Sequence, residues 1–258
     1  MILPRPGCGK HPKVILFDID ATLLLSGHAG TRAIERVFRT LYGMADAMDG
    51  ILPDGKTDPL IFREILEKKL SHLSSDEEIP RVSGVYIEYL QEEVARSPGF
   101  RLMKGVRELL ALLSKSERVL LGLATGNLEP CAWIKLRRAG LDGYFRFGGF
   151  GSDAEDRTEV VRTALRKAER ELGHPVSRDR VCVIGDTPRD ILHAREAGVR
   201  TVAVATGRST LAELARYGPD YLLPDLSDTE RVARIFVEDT EPEAAGPETE
   251  AASPIRAP

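Results

Sequence analysis

The second half of the chain alternates short runs of continuous apolar residues with segments of helical periodicity, and this alternation constrains the fold more than any other feature. The apolar runs cover residues 118–124, 180–185 and 200–205, and the helical patterns cover 128–139, 161–172 and 188–197. Continuous apolar strands separated by helices are typical of a parallel sheet covered on both faces. The run at 14–17 has the same character and comes first. We therefore predict an α/β fold with a doubly wound parallel sheet.

The stretch between the first strand and the rest of the sheet is different, because it shows helical periodicity only, at about 29–42, 59–72 and 82–95. We interpret this block as an inserted helical cap domain. The predicted division is a catalytic core (1–27 and 101–236), a cap (28–100) and an acidic disordered tail (237–258).

Charge and hydropathy limit the classes of partner that we expect for this chain. The net charge is −4, and residues 237–258 hold six acids and one arginine, so the rest of the chain carries +1. A tail this rich in acids and prolines cannot bury enough apolar surface to order itself. The sequence has no basic stripe, so it does not indicate nucleic-acid binding. It has no run of 18 apolar residues, so we predict no membrane span. The N-terminus lacks the pattern of a signal peptide, so we expect a cytoplasmic protein.

Polar residues follow three of the predicted strands. Asp18 and Asp20 follow the first, Thr125, Gly126 and Asn127 follow the run at 118–124, and Asp186 follows the run at 180–185. Ligands of open α/β sheets bind at the carboxyl ends of the strands. We therefore expect these residues to meet at one rim of the sheet.

The aspartates predict a metal site. Two close carboxylates at the end of a buried strand are costly without a cation, and Asp186 supplies a third acid. An oxygen-only set with no histidine or cysteine nearby favours Mg²⁺ over zinc. A plainer interpretation stays open for the flanking residues, because Thr187, Pro188 and Asp190 also form a good helix start.

Three motifs resemble those of the haloacid dehalogenase superfamily, in particular its phosphoglycolate-phosphatase-like members with a helical cap. VILFDIDATLL resembles the first motif, LLGLATGN the second and VCVIGDTPRDI the fourth. The chain departs from the family pattern in two places. Ala21 stands where most members have glycine, and we expect its φ to stay negative. The usual lysine of the third motif has no match, and Arg157, placed in a helix's first turn by Asp156 and Glu159, is the substitute. A solvated helix arginine is the alternative.

The resemblance implies a reaction and roles. Asp18 would be the nucleophile and Asp20 the general acid and base. Mg²⁺ would be held by Asp18, the backbone carbonyl of Asp20, and Asp186. Phosphate would be bound by Thr125, Gly126, Asn127 and Arg157, with Asp190 orienting Arg157 or a metal-bound water. Residues of the cap that could reach substrate are His28, Arg32, Thr57 and Asp58. A surface histidine without this contact is the favoured alternative for His28. Thr57 and Asp58 form a helix start and also resemble a cap turn that faces the core in similar family members.

The leading hypothesis is therefore a Mg²⁺-dependent phosphatase of a small phosphorylated metabolite, acting through an aspartyl-phosphate. Dehalogenation is disfavoured, because the dehalogenating members lack the second aspartate, present here as Asp20. Two alternatives remain open: a sugar-phosphate mutase of the β-phosphoglucomutase type, and a non-catalytic phosphate-binding module.

Overall fold

A computed structural model describes residues 12–71, 73 and 75–237 of the chain. The strands are β1 Lys13–Phe17, β2 Leu24–Ser26, β3 Phe100–Leu102, β4 Val119–Ala124, β5 Gly148–Gly149, β6 Val181–Gly185, β7 Arg200–Val204 and β8 Tyr221–Leu223. The helices are α1 Ala29–Tyr42, α2 Asp58–Lys69, α3 Ser75–Arg96, α4 Val106–Leu113, α5 Glu129–Ala139, α6 Arg157–Leu172, α7 Pro188–Glu196, α8 Leu211–Ala215 and α9 Thr229–Val237.

Six strands form one sheet in the order β5-β4-β1-β6-β7-β8, and every neighbouring pair is parallel. From β1 the chain continues to β4 on one side, whereas from β6 it continues to β7 on the other. The order therefore reverses between β1 and β6, which is where ligands of doubly wound sheets bind. The predicted α/β fold with a doubly wound parallel sheet is confirmed.

Both faces of the sheet are covered by helices. In β1, Ile15 and Phe17 pack into an apolar cluster with α4, α5 and α9. Val14 and Leu16 point to the opposite face and pack with α6 and α7. Successive side chains of a strand alternate between faces, so a strand buried on both sides has to be apolar at every position. This arrangement explains the continuous apolar runs of the sequence.

The helices α1, α2 and α3 form an apolar cluster that includes Val37, Phe62 and Tyr86, and Leu128 and Cys131 at the start of α5 also pack into it. The antiparallel pair β2 and β3 lies where the chain leaves the core and returns to it. This three-helix block inserted between β2 and β3 supports the predicted cap, and the domain boundaries stay a prediction. The predicted helix at 29–42 coincides with α1.

The helix predicted at about 82–95 is longer in the structure, because α3 already begins at Ser75. Its first turn contains Asp76, Glu77 and Glu78, which favour a helix N-terminus but carry no apolar periodicity. At the other end of the core, α9 includes Val237, the first residue of the predicted tail; residues 238–258 lie outside the described part of the chain. Among the described helices, none is long and apolar enough to cross a membrane.

Candidate active site

Three buried carboxylates meet at the point where the strand order reverses. Asp18 follows β1, Asp186 follows β6, and Asp190 lies in the first turn of α7. One carboxylate oxygen of each lies within 4.8 Å of the others. The backbone N–H of Asp18 donates to Ile184 O at 2.9 Å, which joins the ends of the two strands. The predicted meeting of the first and fourth motifs at one rim is therefore observed.

The electrostatics of this cluster suit a cation. Burial raises the pKa of Asp18 to about 7 against the opposing effect of Arg157. Burial, together with the charges of Asp190 and Asp18, raises the pKa of Asp186 to about 9. The neutral hydroxyl of Thr22 donates to Asp186 Oδ1 at 3.3 Å and supplies no positive charge. A buried acid of this kind ionises readily only beside a cation, and an all-oxygen set fits Mg²⁺.

The carboxylate of Asp20 lies outside this cluster, where Asp190 takes the third place. Asp20 Oδ2 accepts hydrogen bonds from Asn127 and Lys135 instead. These contacts involve the side chain of Asp20 and leave its backbone carbonyl free of them. Metal binding by this carbonyl stays a prediction.

Arg157 is the first residue of α6 and is buried, as the spacing of Asp156 and Glu159 indicated for its place in the helix. Asp156 is the N-cap and accepts from the backbone N–H groups of Thr158 and Glu159, at 2.6 and 3.2 Å. The guanidinium pairs with Asp18 Oδ1 at 3.4 Å and with Asp190 Oδ1. Arg157 is therefore not a solvated helix arginine, and Asp190 orients it.

Asp190 also has the plainer role considered for it. Thr187 is the N-cap of α7, and the Thr187 hydroxyl and the Asp190 carboxylate form a capping box. Asp190 Oδ2 accepts from the Thr187 N–H at 3.0 Å, while Asp190 Oδ1 contacts Arg157. The helix start and the site share one carboxylate, so the two interpretations are compatible.

The second motif lies beside these groups. Thr125 and Asn127 are buried, and Asn127 Nδ2 lies 2.8 Å from both Thr125 Oγ1 and Asp20 Oδ2. Gly126 is in close contact with the cap, because a Cβ added there would lie 2.2 Å from the backbone oxygen of Lys56. This position therefore requires glycine. The binding of phosphate by these three residues stays a prediction.

The predicted cap turn at Thr57 and Asp58 docks on the second motif. Asp58 N–H donates to Gly126 O at 2.8 Å, and Asp58 Oδ2 accepts from Leu128 N–H at 2.8 Å. Thr57 caps α2 and donates to Glu155 O at 3.0 Å. Burial raises the pKa of Asp58 to about 6, although the Lys135 charge opposes this effect. The turn joins cap to core, and its contact with substrate stays a prediction.

Arg32 and His28, the other cap residues considered for substrate contact, lie where the chain enters the cap. Arg32 donates to Glu93 Oε2, to Gly27 O and to Ser97 Oγ, at 2.8, 2.7 and 3.2 Å. These bonds occupy its guanidinium between the two linkers, which argues against the predicted contact. His28 is exposed at the N-terminus of α1, with a φ of 61°, and its role stays a prediction.

Ala21 has a φ of 60°, so the expectation of a negative φ at this position was wrong. Hydrogen bonds on both sides hold the turn: Ala21 N–H donates to Leu24 O at 2.8 Å, and Thr206 Oγ1 donates to Ala21 O at 2.6 Å. The chain therefore keeps the left-handed turn that glycine adopts easily. For an alanine this conformation costs about 1–2 kcal/mol.

Sequence reasoning missed Lys135, a buried residue of α5. Its ammonium lies 2.5 Å from Asp20 Oδ2 and 2.5 Å from Asn127 Oδ1. A signal was present, because Lys135 falls within the buried stripe of its helix, formed by Cys131, Ala132, Lys135, Leu136 and Ala139. A lysine inside an apolar stripe needs a buried partner.

Known proteins resemble this chain over most of its length. A phosphoglycolate phosphatase of Pseudomonas savastanoi pv. phaseolicola is 27% identical over 220 residues, or 84% of this chain and 78% of that protein. The pyrophosphatase PpaX of Halalkalibacterium halodurans is 26% identical, over 83% of this chain and 94% of that protein. The structure of CbbY from Rhodobacter sphaeroides in complex with phosphate matches with a TM-score of 0.66 at 21% identity, over 84% of this chain and 96% of that one. A family model described as haloacid dehalogenase-like hydrolase matches residues 15–204, and the chain accordingly belongs to the haloacid dehalogenase-like hydrolases.

Proposed function

We propose that this hydrolase is a Mg²⁺-dependent phosphomonoesterase that acts on a small phosphorylated metabolite through an aspartyl-phosphate on Asp18. The observation that carries the proposal is the pairing of the buried Asp18 with the buried Arg157, 3.4 Å apart, inside a cluster of acids. A carboxylate nucleophile next to a fixed guanidinium suits attack on an anionic phosphorus centre.

In the first step, an oxygen of Asp18 bonds to phosphorus and the bond from phosphorus to the ester oxygen breaks. The departing oxygen takes the proton of Asp20. In the second step, water bonds to phosphorus while Asp20 takes one of its protons, and the bond to Asp18 breaks. Both carboxyl groups return to their starting states, and phosphate leaves.

The phosphoryl oxygens are bound by Thr125, the backbone N–H of Gly126 and Arg157. Asp190 holds the guanidinium of Arg157 through an ion pair, so Arg157 is oriented for phosphate binding before substrate arrives. Asn127 holds Thr125 and Asp20 at 2.8 Å from its amide nitrogen and thereby sets the distance between phosphate site and acid.

Asp18, Asp186 and the backbone carbonyl of Asp20 are the groups that would hold Mg²⁺. The bound ion supplies positive charge that offsets the repulsion between the carboxylates and the substrate phosphate. The raised pKa values of Asp18 and Asp186 support this assignment, because a cation favours their ionised forms.

The relatives point to small anionic substrates. Phosphoglycolate, as in the named phosphatases, and pyrophosphate, as in PpaX, are the first esters and anhydrides to test. The direct backbone contact between the cap turn and the second motif supports a small substrate, because it brings the cap close to the phosphate loop.

Phosphate release is the test. The purified chain is assayed with p-nitrophenyl phosphate, phosphoglycolate, sugar phosphates, nucleotides and pyrophosphate, with Mg²⁺ or with EDTA, beside Asp18→Asn. We expect release that requires Mg²⁺ and is lost in Asp18→Asn. A folded chain that releases no phosphate from any substrate would refute the proposal, and hexose-phosphate isomerisation would then test the mutase alternative.

A further inference from the structure

We propose that Lys135, with Asn127, positions the carboxyl group of Asp20 so that its Oδ1 is the oxygen that carries the transferred proton. The inference rests on the proposed function and adds a residue to it. It begins from the burial of the lysine, whose side chain is 4% exposed, whereas that of Asp20 is 43% exposed. The cation lies behind the carboxylate and the carboxylate faces the open side.

Lys135 is held as a charged group. An ammonium buried without a partner is costly, and this one has two acceptors at 2.5 Å, Asp20 Oδ2 and Asn127 Oδ1. Burial alone would lower the pKa of Lys135, but the charges of Asp20 and Asp58 outweigh it and raise the pKa. Because the side chain is enclosed, Lys135 acts on the reaction through Asp20 and not on the substrate.

Two donors converge on one oxygen of Asp20. The Lys135 ammonium donates to Oδ2 at 2.5 Å, and the Asn127 amide donates to the same atom at 2.8 Å. Within the described residues, no protein group forms a hydrogen bond with Oδ1. An oxygen that already accepts two hydrogen bonds is a poor place for a proton, so a protonated Asp20 carries it on Oδ1.

Asn127 is fixed in turn. Its Nδ2 lies 2.8 Å from Thr125 Oγ1, and its Oδ1 accepts from Lys135, so the amide cannot rotate without losing a bond on each side. Lys135, Asn127 and Asp20 therefore form a closed ring of hydrogen bonds. The ring orients Oδ1 before the leaving oxygen needs its proton.

The two buried cations of the site, Arg157 and Lys135, form ion pairs with different acids. Arg157 pairs with Asp18 and Asp190, whereas Lys135 pairs with Asp20. Loss of Lys135 should therefore impair the proton transfers and spare the attack by Asp18. This separation gives the inference a readout that a purely structural lysine would not produce.

The experiment compares kcat/KM of Lys135→Met for two esters with different leaving groups. The alkoxide of phosphoglycolate needs a proton as it leaves, whereas p-nitrophenolate leaves without one. We expect kcat/KM for phosphoglycolate, or for the best alkyl ester found, to fall by about 100-fold. For p-nitrophenyl phosphate the fall should be less than about 5-fold, since general-acid catalysis is the contribution lost.

The second step gives an independent signature. With p-nitrophenyl phosphate, Lys135→Met should release a burst of p-nitrophenolate close to one per chain, because the phosphoenzyme forms but its hydrolysis lacks a positioned base. Asp20→Asn should give the same leaving-group pattern and the same burst. Lys135→Met added to Asp20→Asn should cause little further loss, since both changes remove one function.

Lys68→Met is the matched control, because Lys68 is an exposed lysine that pairs with Glu64 on α2, and we expect wild-type rates. Circular dichroism checks the fold of each variant. If Lys135→Met does not fold, Lys135→Gln replaces it. Because its amide can still donate to Asp20, we expect a smaller loss that is again confined to the alkyl ester.

Equal losses for both esters, or effects of Lys135→Met and Asp20→Asn that multiply in the double variant, would overturn the inference and leave the phosphatase assignment intact. A wild-type chain that is inactive on every ester would instead refute the proposed function, and the inference with it.

Discussion

Glu93 is the group through which we would first perturb the pairing of α1 with α3 in the cap. Its buried carboxylate, in α3, accepts from Arg32 at 2.8 Å and from Arg36 at 2.9 Å, and it also pairs with Arg96. Led by Arg96, these arginines lower the pKa of Glu93 from 4.5 to about 2. At 1.36 kcal/mol per pKa unit, this difference corresponds to about 3 kcal/mol of stability.

Solvent screening reduces this value, because the side chains of Arg32 and Arg96 are 41% and 61% exposed. We expect Glu93→Gln to lower the free energy of unfolding at pH 7 by about 2 kcal/mol. The folded-state pKa is the lower one, so the stabilisation is complete above pH 4.5 and is lost as the pH falls towards 2. The difference between wild type and Glu93→Gln should therefore shrink over that range.

The assay is urea unfolding followed by circular dichroism at 222 nm, because the cap is helical, at pH 7 and at steps between pH 5 and 3. Glu92→Gln is the control: Glu92 lies on the same helix, is 55% exposed and has Arg36 as its one ion-pair partner in the described part of the chain. Its loss should cost less than about 0.5 kcal/mol. Equal effects of Glu93→Gln and Glu92→Gln, or a difference for Glu93→Gln that does not depend on pH, would refute the reasoning.

Three further outcomes follow from the site and the sequence. Arg157→Ala should lower kcat by about 100-fold or more, because the proposed donor to phosphate is lost, whereas Arg157→Lys should be milder. Steady-state kinetics measure both, and an unchanged rate in Arg157→Ala would remove this residue from the site. Ala21→Gly should raise the melting temperature by a few degrees, because glycine adopts a φ of 60° without strain, while Ala21→Val should lower it; a fall in Ala21→Gly would show that the turn is not strained. Removal of residues 238–258 should leave phosphate release unchanged, since Ile255 is the one large apolar side chain among them, and loss of turnover would contradict this expectation.

The sequence predicted those parts of the fold that depend on local pattern. The apolar run at 14–17 forms a central strand of the sheet, and the aspartates follow it. It could be predicted because a strand buried on both faces is apolar at every position, which the sequence shows directly. Arg157 was found for a similar reason: an acid before it and an acid two residues after it mark a helix start.

The parts that were missed depend on tertiary contacts. Lys135 is close to Asp20 only because α5 packs against the end of β1, 115 residues away in sequence. The left-handed φ of Ala21 is held by Thr206, which is 185 residues distant. Arg32 lies one turn into a cap helix, where it was expected to reach substrate, and the partner that occupies it, Glu93, belongs to a different helix. No local pattern encodes such pairings, although a charged residue in an apolar stripe signals that one exists.

The backbone contact between Lys56 and Gly126 limits how this enzyme can diverge. The atom that approaches Gly126 is a peptide oxygen, so the fit does not depend on which side chain residue 56 carries. Substitutions at 56 can therefore alter the side chain without changing how the cap contacts the core. At 126 the same freedom is absent, because any side chain would have to displace the cap backbone. Variation at this contact is thus confined to the side chain on the cap side, while the second motif keeps its glycine.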